Sequence, residues 1–119
     1  MTIAQKIRTA WSSSTGFCVL VPPASIFTGT AVSEKRPFGI IHVLDFRMTS
    51  VTNAGPKTIF RHARLELHVS SMAAADTIRE EAEDVFCREK HFFVESAAME
   101  CFETDHWKVI LDLYCWENL

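Results

Sequence analysis

Glycine is scarce and scattered: four residues in 119, none grouped into a phosphate-binding loop. No G-x-S-x-G elbow occurs, so no serine is offered as a nucleophile in an activating turn. The four cysteines, Cys18, Cys87, Cys101 and Cys115, form no C-x-x-C pair and sit in apolar sequence surroundings. Reduced, packed thiols are the expectation for such residues. Uninterrupted apolar runs fall far short of the ~20 residues of a membrane helix. The N-terminus lacks the apolar run of a signal peptide, so the protein is expected to be made and folded in the cytoplasm. Positive charge is not in excess either. A net charge of −3 and a pI near 5.9 argue against a dedicated nucleic-acid binder, which would need a basic face. There is no internal repeat and no low-complexity segment.

What is present is an ordinary globular balance, with 48% hydrophobic and 23% charged residues. A chain of this length fits one domain, residues 1–119, and should bury roughly two thirds of its unfolded surface. The organising stretch is Ile59 to Phe86. Ile59, Ala63, Leu65, Leu67 and Val69 alternate with His62, Arg64, Glu66, His68 and Ser70, which predicts a strand with one dry and one wet face. Beyond Val69 the period changes. Ala74, Ile78, Ala82, Val85 and Phe86 fall at helical spacing, with Ser70 or Ser71 suited to cap the helix and Asp76 suited to its positive end.

Upstream, Ile3, Ala4, Ile7, Ala10 and Trp11 predict a short amphipathic helix that Thr2 could cap. Phe17 to Val21 reads as a short strand stopped by Pro22-Pro23. Ala24 to Arg36 has no period and reads as an extended surface connection. Phe38 to Met48 reads as a central strand, with Phe38, Ile40, Leu44 and Phe46 on the face of His42 and Ile41 and Val43 on the other. Ser50 to Thr58 carries Asn53-Ala54-Gly55-Pro56, the chemistry of a projecting hairpin tip. This tip and the 24–36 connection lack apolar periodicity, so both are expected to be mobile in the free protein. Phe92 to Phe102 reads as another strand. The last is clearer, with Trp107, Val109, Leu111, Leu113 and Cys115 facing one way and His106, Lys108, Asp112 and Tyr114 the other. The expected fold is α+β: an antiparallel sheet of about four to five strands on one main helix, plus a short N-terminal helix.

Candidates for chemistry are few. His62 and His68 share a strand face, but six residues of strand span roughly 20 Å, too far for one metal. Glu66 and His68 could supply two ligands, with nothing to nominate the others, so a solvated or interface face reads better. Cys87 and His91 have ligand-compatible spacing at the helix end, but a buried thiol and a dipole-capping histidine are the better explanation. Glu80, Glu81, Glu83 and Asp84 read as a solvated helix face. Trp11, Trp107 and Trp116 could line a pocket, though such spacing is more often core. Neither a catalytic site nor a cofactor is expected.

The element order resembles a known family. A short N-terminal helix precedes a proline-bearing loop and the strand start Arg36-Pro37-Phe38-Gly39-Ile40-Ile41. A strand then runs into an alanine-rich helix start, Leu65 to Ala75, and an alternating strand, Trp107 to Trp116, closes the chain. From about residue 3 to 116 this is similar to the tail terminator (tail completion, minor tail) proteins of long-tailed bacteriophages and prophages. The resemblance implies an α+β subunit of a homo-oligomeric ring, for example a hexamer. Such a ring sits at the head-proximal end of the tail tube, stops tube polymerisation and docks the head-completion protein. It implies no active site, no membrane and no specific nucleic-acid partner, and a place in the virion tail after assembly in the host cytoplasm. The tip residues Thr52, Asn53 and Lys57, and the strand face His62, Arg64, Glu66 and His68, are the candidate contacts with neighbouring subunits or partners. Cyclic heterologous contacts of this kind close without a twofold patch. Two rivals stand beside this reading. One is a small ligand-binding or enzymatic α+β domain with a pocket between sheet and helix, for which His42 is the candidate polar group. The other is a dimeric interaction module.

Overall fold

The computed structural model describes the backbone of residues 2–31, 35–52, 55–89 and 92–118, and their side chains outside 45–59 and 117–118. The first helix, α1 (Ile3–Ser12), starts on a reciprocal cap. The Thr2 hydroxyl accepts from the Gln5 amide at 3.2 Å, and the Gln5 side chain accepts from the Thr2 amide at 2.8 Å. Ile3, Ile7, Ala10 and Trp11 form its buried stripe.

The next segment differs from expectation. Phe17 to Val21 belongs to a second helix, α2 (Thr15–Leu20), and its C-cap, not to a strand. The Ser14 hydroxyl caps it by accepting from the Phe17 amide at 3.2 Å. A strand would have put Phe17, Val19 and Val21 on one face. The helical turn instead buries Phe17 and Val21, four apart, and leaves Val19 78% exposed. A 3-10 turn at Pro23–Ser25 follows.

The 24–36 connection is also more ordered than its composition suggests. Ile26–Thr28 forms β1, which pairs in parallel with Gly39–Ile41. Ile26 is buried, and the Arg8 guanidinium donates to the Ile26 carbonyl at 3.0 Å and the Thr28 hydroxyl at 2.8 Å. Gly29, at φ 81°, turns the chain away while its amide donates to Ile41. That part of the connection is fixed by the sheet; residues 32–34 lie outside the described residues. The Arg36-Pro37 bond is cis.

Strands β2 (Phe38–Thr52) and β3 (Gly55–Val69) form a long antiparallel hairpin. Gly55 and Pro56, read as turn residues, lie in β3, with Pro56 next to a register shift that tolerates a missing donor. Asn53 lies outside the described residues, as do the side chains of Thr52 and Lys57. Helix α3 (Met72–Arg88) follows after two residues, and the Ser71 hydroxyl caps it at 3.1 Å from the Ala74 amide. Strands β4 (Phe92–Glu103) and β5 (His106–Asn118) complete a five-stranded sheet in the order β1-β2-β3-β5-β4. The fold is thus α+β, with one main helix and the short N-terminal helix. The sheet is mixed because β1 runs parallel to β2, while every other pairing is antiparallel.

Helices α1 and α3 pack on one face of the sheet, and α2 packs on those two helices. Ala63, Leu65, Leu67 and Val69 of β3 and Val109, Leu111, Leu113 and Cys115 of β5 are buried against them. Trp11 stacks on Phe17 at 3.9 Å, and its indole N–H donates to the Val21 carbonyl at 2.9 Å. Gly39 permits this approach, since a Cβ there would stand 3.1 Å from Leu67 and 3.2 Å from Trp11. The layer ends past Ile41: Val43, on the same side of β2, is already 55% exposed.

Candidate interaction surface

The opposite sheet face has no second layer among the described residues. Strand register fixes what it displays, in rows across β2, β3, β5 and β4. Phe38, His68, Lys108 and Glu100 form one row; Ile40, Glu66, Ile110 and Ala98 the next; His42, Arg64, Asp112 and Ser96 the third. His62, Tyr114 and Phe93 follow, then Phe60 and Trp116. The alternation that defined the wet face of β3 therefore holds, and the four β3 candidates share one surface with residues from three other strands.

Asp112 is the hub of the third row. Its Oδ1 lies 3.0 Å from His62 Nε2 and accepts from Arg64 Nε at 3.2 Å, and its Oδ2 accepts from the Ser96 hydroxyl at 3.0 Å. Burial pushes this carboxyl up, but the hydrogen bonds from His62, Ser96 and Arg64 outweigh burial and hold it below its ordinary value. His62 stacks on Tyr114 at 4.4 Å, and Tyr114 on Phe93 at 5.1 Å. Phe60 and Trp116 extend this into an aromatic cluster at one end of the face, with Phe93 38% exposed.

Glu66 and His68 belong to a second chain of contacts. Glu66 does not pair with Arg64. Its Oε2 lies 3.4 Å from His68 Nε2 and its Oε1 3.6 Å from His42 Nε2. His68 is only 8% exposed, stacked on Phe38 at 4.4 Å, with Nδ1 2.8 Å from His106 Nε2. Burial lowers its pKa below the ordinary histidine value, against the opposing hydrogen bond to Glu66. A cleft of about 440 Å³ opens beside it, lined among others by Arg36, Phe102, His106 and Lys108.

Several readings from sequence change here. His42, the candidate for a pocket between sheet and helix, lies on the uncovered face, in register with Arg64. Among the described residues no three His, Cys, Asp or Glu side chains are placed to hold a metal ion, and Glu66 and His68 contact each other. His91 lies outside the described residues. Cys115 is buried and Cys18 half-buried, but Cys87 and Cys101 are exposed rather than packed. The three tryptophans share no pocket: Trp11 is core, Trp107 packs at its margin, and Trp116 joins the aromatic cluster across the sheet. In the acidic run on α3, Arg79 bonds Asp76 at 2.8 Å and Glu83 at 3.4 Å, and Arg88 bonds Asp84 at 2.6 Å. Glu80 and Asp84 are exposed as expected of a solvated face, but Glu81 is half-buried, and its Oε1 accepts from the Ser14 hydroxyl at 3.4 Å. Asp112, Ser96, His106 and Lys108 were not among the candidates. The alternation of β5 placed three of them on one face, but only the β3–β5 pairing shows that this is the face of His62 and His68.

Among the described residues no helix is long and apolar enough to cross a membrane. No family model and no curated protein sequence matches the chain. Among solved structures it is similar to a chain of the virion of a native gene transfer agent (GTA) particle. The TM-score is 0.73 at 10% identity, covering 95% of this chain and 92% of that one. At that identity the likeness is one of fold.

Proposed function

We propose that this chain is a structural protein of a phage-type particle, and within that class the cap of the tail tube. It forms a homo-oligomeric ring, ends tube polymerisation and docks the head-completion protein, and it does no chemistry. The observation that carries this reading is the fold likeness, over nearly the whole length of both chains, to a protein of a virion. The uncovered sheet face supports it physically. Half-buried aromatic residues and paired charges on an open face suit a subunit or partner contact. The contacts are Arg64, His62, Glu66 and His68 on that face, with Thr52, Asn53 and Lys57 at the hairpin end reaching a neighbouring subunit. The protein then resides in the virion tail, after assembly in the host cytoplasm.

Native mass spectrometry and negative-stain microscopy of the purified protein, alone and mixed with its tail tube protein, test this. Rings and shortened tubes are the expected result. A stable dimer that leaves tube length unchanged would overturn the reading in favour of an interaction module.

A further inference from the structure

We propose that His68 and His106 form a proton-limited latch, which holds the wall of the cleft at the β4–β5 turn closed and releases it in acid. Hydrogen-bond capacity sets the latch. His68 Nε2 faces the Glu66 carboxylate at 3.4 Å, so that nitrogen carries the proton. His68 Nδ1 is then an acceptor, and His106 Nε2, 2.8 Å away, donates to it. A proton added to His106 goes to its other nitrogen and leaves the contact intact. One proton on the pair leaves the contact intact on either ring, because a neutral His106 can hold its proton on Nδ1 and accept from His68. A second proton, added to His68 beside a charged His106, leaves two N–H groups opposed at hydrogen-bond distance.

The surroundings decide which partner moves. His68 is wedged against Phe38, ring to ring, in the sheet interior. His106 follows the two-residue turn 104–105 and is only half-buried. It therefore swings out. Lys108 on β5 and Arg36 before β2 line the cleft and add positive charge, while Glu103 and Asp105 line it with negative charge. On the far side, Glu66 separates His68 from His42. Phe38 blocks solvent from the ring face, which further disfavours the charged form. In the closed state the turn is held by the pairing of Glu103 with His106 and by Arg36, which donates to the Asp105 carbonyl at 2.9 Å. Release of His106 loosens this turn and the cleft wall, including Phe102, whose ring lies 5.1 Å from His106. This device is independent of the proposed role in a particle.

Imidazole nitrogen NMR across pH 8 to 4, with amide exchange at residues 103–108, tests it on the intact chain. His68 should be the Nε2–H tautomer at neutral pH and should titrate at more acid pH than free histidine. Exchange at 103–108, corrected for its intrinsic pH dependence, should rise about threefold or more in the same step. In His106→Leu the exchange step should vanish, exchange being already fast at neutral pH. An Nδ1–H tautomer of His68, or an ordinary midpoint with no change at the turn in the wild-type chain, would overturn the latch whatever the variant does.

Discussion

His62 Nε2 stands 3.0 Å from Asp112 Oδ1, across the β3–β5 pairing that aligns Arg64 with Asp112. The same carboxylate takes Arg64 and, through Oδ2, the Ser96 hydroxyl of β4, so one side chain ties three strands together on the uncovered face. Asp112→Ala removes the shared acceptor and should cost about 1–2 kcal/mol, the lower part of the range for charged hydrogen bonds. The discount reflects the partly solvated Arg64, whose side chain is 43% exposed. Urea unfolding measures it. A loss well under 0.5 kcal/mol, the ordinary range of an unconnected surface substitution, would mean the cluster does not couple the strands.

His68 and Asp112 both contribute to the acid limb of the stability profile. His68 has a folded pKa below its reference of 6.5, so the unfolded chain binds the proton more readily. Stability should fall as pH drops below about 6.5 and continue falling until the folded value is passed. Asp112 is depressed below 3.8, so its contribution is present above that pH and lost as pH falls through its folded value. Urea midpoints from pH 8 to 3 should show both limbs. Asp112→Asn should flatten the lower and His68→Gln the upper. A flat profile between pH 7 and 5 in the wild-type protein would refute the assignment to His68.

Gly39 lies where Trp11 of α1 packs onto the sheet. A methyl group there meets Leu67 at 3.1 Å and Trp11 at 3.2 Å, both fully buried. Trp11 has little room to yield, being stacked on Phe17 and hydrogen-bonded to the Val21 carbonyl. Gly39→Ala should therefore destabilise by about 1–2 kcal/mol through overpacking. A rise in thermal midpoint would show that this corner is looser than its distances imply.

Trp11 itself ties α1, α2 and the sheet together. Trp11→Ala should cost about 3–5 kcal/mol, the usual range for emptying a buried aromatic site. Calorimetry on the variant checks this. A loss below about 1 kcal/mol would mean that the surrounding side chains collapse into the space.

The parts legible in the sequence were those with a clean period. The start of α3 was legible to within one residue, Ser70 or Ser71, which the Ser71 cap decides. The alternation of β3 and β5 and the stripe of α1 follow from residue spacing alone. Phe17 to Val21 did not, because a five-residue apolar run satisfies strand and helix alike until Ser14 is seen capping it. Ile26–Thr28 did not, since a three-residue parallel strand is built by its partner at Gly39–Ile41 and has no pattern of its own. The face of His62 to His68 was legible as a face, but its partners were not. Asp112 lies 48 residues from Arg64 and His106 38 from His68, and only strand order brings them together. The buried state of His68 was likewise hidden, because the Phe38 ring that covers it comes from the neighbouring strand.

Hydroxyl-radical footprinting of the free protein against the protein assembled with tail tubes tests the central claim most directly. Phe93 and Phe102 are exposed on β4, while Val19 and Met72 are exposed on the helical side. Contact through the uncovered sheet face should cut oxidation of Phe93 and Phe102 about threefold or more on assembly, as burial in an interface core requires, with Val19 and Met72 changing little. Assembly that leaves Phe93 and Phe102 as reactive as in the free chain would contradict the account.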